Sequence, residues 1–456
     1  MSDSAGIPGG GTGASGDDGP DTPQARGAGR DPGAGHAPEP GHGHGPGLGQ
    51  GGGPGQGRGR RRRLLRWAGL GVVLLVLAGT AGGWWIYNKL DGNITEDTSA
   101  AAELERYERE RPAHLASGSQ NILLIGSDSR SGKANARYGQ DQGTQRSDTT
   151  ILLHLPADRK SATAVSIPRD LMTNIPACLQ ADGTRTGERF AQFNWAFQWG
   201  GAACTIRTVE KLTGIRVDHH MVIDFGGFKR MVDAIGGVEV CLKRPMDDAE
   251  AHLKLPAGRQ TLRGEDALGY VRARYSLGNG SDTERMERQQ QFLGSLVKKV
   301  QSNGVLLNPA RLYPLLDAAT SSVTTDPGLA SLRGLYELVR GVRDIPTDQV
   351  KFLTVPRRPY AADPNRDELI QTDATRLFRQ LRADEPVTIT PPKPESETDG
   401  GDGTGDETGT GTGTGIEPTE AAGSGVSASR VPEGTEVTPT PVPTFTGTTA
   451  GTADCR

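Results

Sequence analysis

Arginine and aspartate recur at the points where the chain changes pattern. Asp128 stands just past the apolar run ILLIG, Arg146 and Asp148 just before TTILLHL, and Arg169 and Asp170 end AVSIPRD. Arg272 and Arg274 lie in YVRARY, and Arg285, Arg288 and Gln289 in SDTERMERQQQF, residues 281–292. Arginine is the preferred bidentate partner of phosphate. Two carboxylates beside phosphate oxygens suit a shared Mg²⁺ ion. The collection therefore points to an anionic, phosphorylated ligand. The bland alternatives are a turn for Asp148, a helix N-cap for Asp170 and a surface charge for any one arginine. No serine has a His/Asp companion at a triad spacing, no CxxC occurs, and His154, His219 and His220 read as strand-associated rather than metal-binding.

The element that carries Arg285 is the most telling. Ser281 and Glu284 have capping-box spacing, and Leu293, Leu296, Val297 and Val300 form an apolar stripe at helical period, so a helix is expected over 283–303. Run backwards, the stripe passes through Gln289 and Arg285. A buried guanidinium needs an anion, supplied by a protein carboxylate or by a ligand. Arg288 lies about 120° from the centre of the stripe, where burial and exposure are equally open. The other acids and arginines sit at the ends of strand patterns, where open α/β sheets bind ligands. Strand patterns (QNILLIG, SDTTILLHLP, SATAVSIP, HHMVIDF, GGVEVCL, QVKFLTVP) alternate with helical ones. The expected class is α/β, with a central, mostly mixed β-sheet flanked by helices.

Composition bounds the domain. Residues 1–63 and 391–456 are rich in Gly, Pro, Thr and charged residues, with too few apolar side chains to offset the entropy of ordering, and read as disordered tails. Trp67 to Tyr87 is a run of 21 uncharged residues, which as a helix spans about 32 Å, enough to cross a bilayer. Six arginines precede it and acidic residues follow, so the positive-inside rule places the N-terminus in the cytoplasm and the rest outside. A cleaved signal peptide is the rival reading, set against the long polar segment before the run. The expected organisation is a cytoplasmic segment 1–63, a single-pass membrane helix 64–90, a charged stalk 91–114, an extracellular domain 115–390 and a tail 391–456. Of the four cysteines, Cys178 and Cys204 flank a polar segment that a bridge would staple. Three pairings are possible, and Cys241 reads equally well as a buried free thiol.

The motifs ILLIGSDSR, RSDTTILLHL, SIPRD, FNWAFQWGG, LTGIRVDHHMVIDFGGFKRMVDAIGGVEV, LRGEDALGYVRARYS and DTERMERQQQFL together resemble the LytR–CpsA–Psr family of cell-wall ligases, over residues 120–303 and less distinctly to 385. The PAC and GGAAC cysteines resemble its actinobacterial members. The resemblance implies a phosphotransferase at the cell membrane. It would move a glycopolymer from a polyprenyl pyrophosphate to a peptidoglycan sugar hydroxyl, leaving a phosphodiester. It further implies Mg²⁺ on Asp128 and Asp148, and a pyrophosphate set of Arg146, Arg169, Arg272, Arg274, Arg285 and Gln289. Arg146, Arg169, Arg285 and Asp148 would be catalytic, and the prenyl chain would lie between sheet and helices. Nucleic acid is not an expected partner for an exported domain. The loop between Asp128 and Asp148 is long, which leaves the relative placing of the two acids open. The base for the acceptor hydroxyl is also open among Asp128, Asp148 and Asp170. A pyrophosphate hydrolase and a non-catalytic lipid-binding protein are the competing functions.

Overall fold

Apolar runs with alternating faces build the centre of the molecule. The computed structural model describes residues 57–114, 118–128, 147–273, 282–302, 308–391 and 444–452. It divides into two units, Met1–Val72 and Val73–Arg456. The described part of the first unit is the beginning of helix α1 (Gly57–Asp91). The strands are β1 (Thr95–Glu96), β2 (Gln120–Ser127), β3 (Ser147–Leu155), β4 (Ala162–Ile167), β5 (Met172–Ile175), β6 (Arg189–Gln192), β7 (His219–Asp224), β8 (Val238–Leu242) and β9 (Met246–Asp248). They continue with β10 (Leu253–Leu255), β11 (Gly258–Leu262), β12 (Val323–Thr325), β13 (Val350–Thr354), β14 (Arg357–Tyr360), β15 (Asp363–Leu369), β16 (Thr388–Thr390) and β17 (Thr444–Thr449). After α1 come helices α2 (Thr98–Arg106), α3 (Trp195–Thr213), α4 (Phe225–Ala234) and α5 (Gly264–Arg272). They are followed by α6 (Asp282–Gln301), α7 (Pro309–Thr320), α8 (Leu332–Arg343) and α9 (Gln371–Arg382).

Nine strands form one sheet in the order β1-β12-β7-β2-β3-β4-β13-β17-β16. It is mixed: β2 runs parallel to β7 and antiparallel to β3, while β13 is parallel to β4. Side chains on a strand alternate between faces. Leu123 and Ile125 of β2 therefore pack with Ile206 and Val209 of α3 and with Leu377 and Phe378 of α9. Ile122 and Leu124 face the other layer, with Leu293 and Val297 of α6 and Leu338 of α8. A third cluster joins α4, α5 and α6 through Val232, Tyr270 and Phe292. Burying apolar side chains on both faces explains why these strands read as near-continuous apolar runs.

Two sequence expectations are corrected and one open alternative is closed. Residues 91–114 are not a stalk. Ala100 and Leu104 of α2 are buried in the core, β1 pairs with β12, and the Arg111 guanidinium donates to Glu210 at 2.8 Å. The charges there conceal a packed face. The 391–456 segment is not a tail throughout, because β17 inserts between β13 and β16, with Phe445 buried. A strand of Thr and Gly carries so little apolar signal that its partner strands alone make it legible. Cys241 is not a free thiol: it is disulfide-bonded, as are Cys178 and Cys204, which pair with each other. Cys455 lies outside the described residues. Near the Cys178–Cys204 bridge α3 kinks at Gly200–Gly201. A Cβ on Gly200 would lie 2.9 Å from the Leu179 carbonyl oxygen and 3.0 Å from the Cβ of Cys178, so glycine lets α3 approach the segment that carries Cys178.

Candidate active site

The ends of β2, β3, β4 and β7 converge, and the charged residues that follow them meet there. Ser127 pairs with Ser147 across β2 and β3, after a register shift at Gly126, and with Asp224 on β7. This register brings Asp128 and Asp148 to the same end of adjacent strands, however long the loop that joins them. Asp128 is half-buried but does not line the cavity described below. At the end of β4, Arg169 reaches across. Its Nη1 donates to Asp148 Oδ1 at 2.9 Å and its Nε to Asp170 Oδ2 at 3.2 Å. Asp170 also accepts from Gln192 Nε2 at 2.7 Å. It is therefore an ion-pair centre in a turn and not a helix N-cap.

Behind these groups a cavity of about 370 Å³ opens between the sheet and helices α4, α5 and α6. Leu124, Ile151, Phe228, Leu268, Phe292 and Leu293 are among its apolar walls. Asp148, Arg169, Arg272, Arg285 and Gln289 line it as well. Arg285 is only 4% exposed, as its helical phase requires. Arg272 ends α5 with its guanidinium 4.8 Å from the centre of the Phe225 ring, a cation–π contact that orients it. Arg146 and Arg274 lie outside the described residues, as does Ser281 of the capping box.

Arg288 and Gln289 do something the sequence did not indicate. Arg288 is buried, with Nη2 donating to the carbonyl of Ala273, and Gln289 Nε2 donates to the carbonyl of Val271 at 3.0 Å. Both donors serve the C-terminal end of α5, where helix carbonyls lack intrahelical partners and the dipole favours a cation. They pin α5 to α6 and hold Arg272 at the cavity. Burial pulls the Arg288 guanidinium below the usual arginine range.

Three further acids, Asp224, Asp248 and Glu250, also line the cavity. Asp224 caps α4, accepting from Gly227 N at 2.6 Å. The strand-end rule that selects Asp148 applies to it equally. Asp248 is buried and accepts from Ala251 N at 2.9 Å; neither it nor Glu250 has a sequence signal. Among the described residues no three or more His, Cys, Asp or Glu side chains gather in a metal-binding group. A Mg²⁺ ion that takes most of its oxygens from phosphate and water needs only one or two carboxylates, and two acids on adjacent strand ends fit that donor set.

An apolar cavity lined by the buried Arg285 and the half-buried Arg169 and Arg272 suits an amphiphile with an anionic head. Comparison with known proteins decides the lineage: residues 91–383 match the model of the LytR_cpsA_psr family. The chain belongs to the LytR–CpsA–Psr family. The match begins at Asp91, in agreement with the inclusion of α2 and β1 in the fold. The cell wall biosynthesis protein LcpA of Corynebacterium glutamicum is 35% identical over 311 residues, 62% of this chain and 58% of that one. The matched stretch thus spans little more than half of LcpA. The polyisoprenyl-teichoic acid–peptidoglycan teichoic acid transferase TagT of Bacillus subtilis is 27% identical over 302 residues, 64% of this chain and 87% of that one. A solved LytR-Csp2A-Psr enzyme from Actinomyces oris is 23% identical over 59% of this chain and 93% of its own, with a TM-score of 0.47.

Proposed function

We propose that this family member is a phosphotransferase that moves a glycopolymer from a polyprenyl-pyrophosphate carrier to a sugar hydroxyl of peptidoglycan. The observation that carries the reading is the buried guanidinium of Arg285 on the wall of an apolar cavity, with Arg169 and Arg272 beside it. The activity for which TagT is named, transfer of teichoic acid from a polyisoprenyl carrier to peptidoglycan, supports it. The pyrophosphate lies against the arginines and the prenyl chain in the cavity, each buried CH₂ contributing about 0.8 kcal/mol. The acceptor oxygen bonds to the glycan-side phosphorus, and the bond from that phosphorus to the prenyl phosphate breaks. The hydroxyl proton passes to solvent or to the leaving phosphate. Arg169, Arg272 and Arg285 stabilise the charge that grows on the leaving group, which is most of what phosphoryl transfer asks of a protein. Arg146 and Arg274 join this set in the proposal. Asp128 and Asp148 would hold Mg²⁺, which neutralises phosphate charge when bound.

Among the described residues one helix, Arg62–Asp91, is long and apolar enough to cross a membrane. With the arginines before it, the reading is a single-pass anchor with the N-terminus in the cytoplasm and the domain outside. The full chain in detergent, given labelled lipid-linked donor and peptidoglycan, is expected to make label wall-bound. The Arg285→Ala variant is expected to lose at least about 100-fold in rate, roughly 3 kcal/mol, with an unchanged melting curve. Full transfer by that variant overturns the reading, and label released but never wall-bound makes the protein a hydrolase.

A further inference from the structure

A second cleft, of about 740 Å³, is separate from the candidate active site. Gln120, the first residue of β2, is on its wall, whereas the active-site acids follow the other end of that strand. Arg159, Arg333 and Arg340 line the cleft, with Glu337 and Asp344. Asp344 is held by Arg343, whose Nε lies 3.3 Å away. Arg159 stands out. Its Nη1 is buried and meets no hydrogen-bond partner among the described residues. A buried guanidinium nitrogen without a partner is costly, and an anion in the cleft would offset that cost. Burial pulls the Arg159 guanidinium below the usual arginine range, and the nearby Asp384 opposes this only in part. That carboxylate already accepts from Ala157 N at 3.1 Å and lies 3.0 Å from His154 Nε2.

The cleft adjoins the end of α1. Ser331 and Arg333 are on its wall, and the residue between them, Leu332, donates its N–H to Asp91 Oδ1 at 2.8 Å. Asp91 is the last residue of α1, four beyond Tyr87, which puts it about 6 Å past the end of the uncharged run, at headgroup depth. The last turn of α1 is docked on the domain. Leu90 is 2% exposed, and Lys89 Nζ donates to the Tyr313 hydroxyl of α7 at 2.8 Å and lies 3.1 Å from Asp317. Helix α8 starts at this point, and none of its 12 residues is buried. Tyr336 is 61% exposed and Val339 49%. Three residues apart, they share a face of α8 and lie within about 11 Å of Leu332 along the helix. An aromatic and an aliphatic side chain bordered by arginines suit the headgroup layer, where tyrosine rings settle and guanidinium groups meet lipid phosphates. A soluble polyanion would engage the arginines and leave Tyr336 and Val339 in water.

We infer that this cleft and the exposed face of α8 form an anionic-phospholipid site, through which the domain rests on the outer leaflet beside its anchor. The inference rests on the single-pass anchor proposed above and not on the transfer chemistry. The full chain is reconstituted into nanodiscs containing doxyl-labelled phospholipid as quencher, with a fluorophore on Val339→Cys or, separately, on Trp84→Cys within α1. Cys178, Cys204 and Cys241 are disulfide-bonded and do not take the label. Both positions are expected to be quenched. Titrating phosphatidylglycerol into phosphatidylcholine discs is expected to deepen quenching at position 339, and Arg159→Gln or Arg340→Gln to move the midpoint roughly fivefold upward. Melting curves establish that the variants are folded. Quenching at 84 without quenching at 339, or an unmoved midpoint in both folded variants, overturns the site. Loss of quenching at both positions removes the anchor reading and this one together. Inorganic phosphate added to neutral discs probes for a soluble anion. A shift of the melting curve that Arg159→Gln abolishes, with position 339 unquenched, gives the cleft to such an anion and overturns the lipid. Arg285-dependent transfer is measured in the same discs, and its persistence when the lipid site fails leaves the transferase reading standing.

Discussion

At the residue scale, the inward phase of one helix is the most informative feature. Arg285 and Gln289 continue an apolar stripe, and the structure buries the first and gives the second to an α5 carbonyl. That much was legible, because helical phase follows from spacing alone. The burial of Arg288 was not, because it depends on where α5 ends and leaves a carbonyl needing a donor. Asp97 is a second residue whose role exists only in three dimensions. It caps α2, accepting from Ala100 N at 2.9 Å, and lies 3.5 Å from His220 Nε2. Burial pushes its carboxyl up, but the nearby His220, the Ala100 N–H and the Ser99 hydroxyl outweigh burial and hold it at about 2, against 3.8 when free. A folded-state value below the unfolded one stabilises at pH above about 4 and loses that contribution as pH falls through about 2. The shift is worth roughly 2 kcal/mol near neutrality. Denaturant unfolding between pH 5 and 2.5 is therefore expected to show a fall in stability that is reduced in Asp97→Asn. Identical pH slopes for the two proteins would refute this role.

At the element scale, two covers of the sheet invite measurement. The bridge from Cys178 to Cys204 closes a loop with a sequence separation of 26. Loop-closure entropy then gives about 3 kcal/mol. The double variant Cys178→Ser, Cys204→Ser is expected to melt several degrees lower under oxidising conditions and no lower than the natural chain under full reduction. The other cover is β17, which pairs antiparallel with β13 and parallel with β16. Deleting 444–456 exposes the backbone edge of β13, and such edges recruit other chains. Light scattering is expected to report self-association of the shortened protein, and a monodisperse, equally stable product would count against the closing role. The sequence offered no hint of this strand, since its alternation of Thr, Phe and Gly resembles the repetitive segment before it.

At the scale of the whole molecule, the prediction concerns sidedness. Protease added to intact cells is expected to digest the domain after Asp91 while an N-terminal tag stays protected; the reverse pattern would invert the assignment made from arginine placement. The apolar run of α1, the α/β class, the strand ends bearing Asp148 and Arg169, and the inward Arg285 could all be read in one dimension, because each rests on local periodicity or composition. The domain limits could not. Charged residues of 91–114 and polar residues of 444–449 become part of the fold through partners distant in the chain, such as Glu210 for Arg111 and β13 for β17. The same holds for the site. Spacing selects the arginines, but register across β2, β3 and β7 decides which acids share their end of the sheet. The packing of α4, α5 and α6 decides that a cavity lies behind them, because contacts between distant segments leave no periodic trace in the chain.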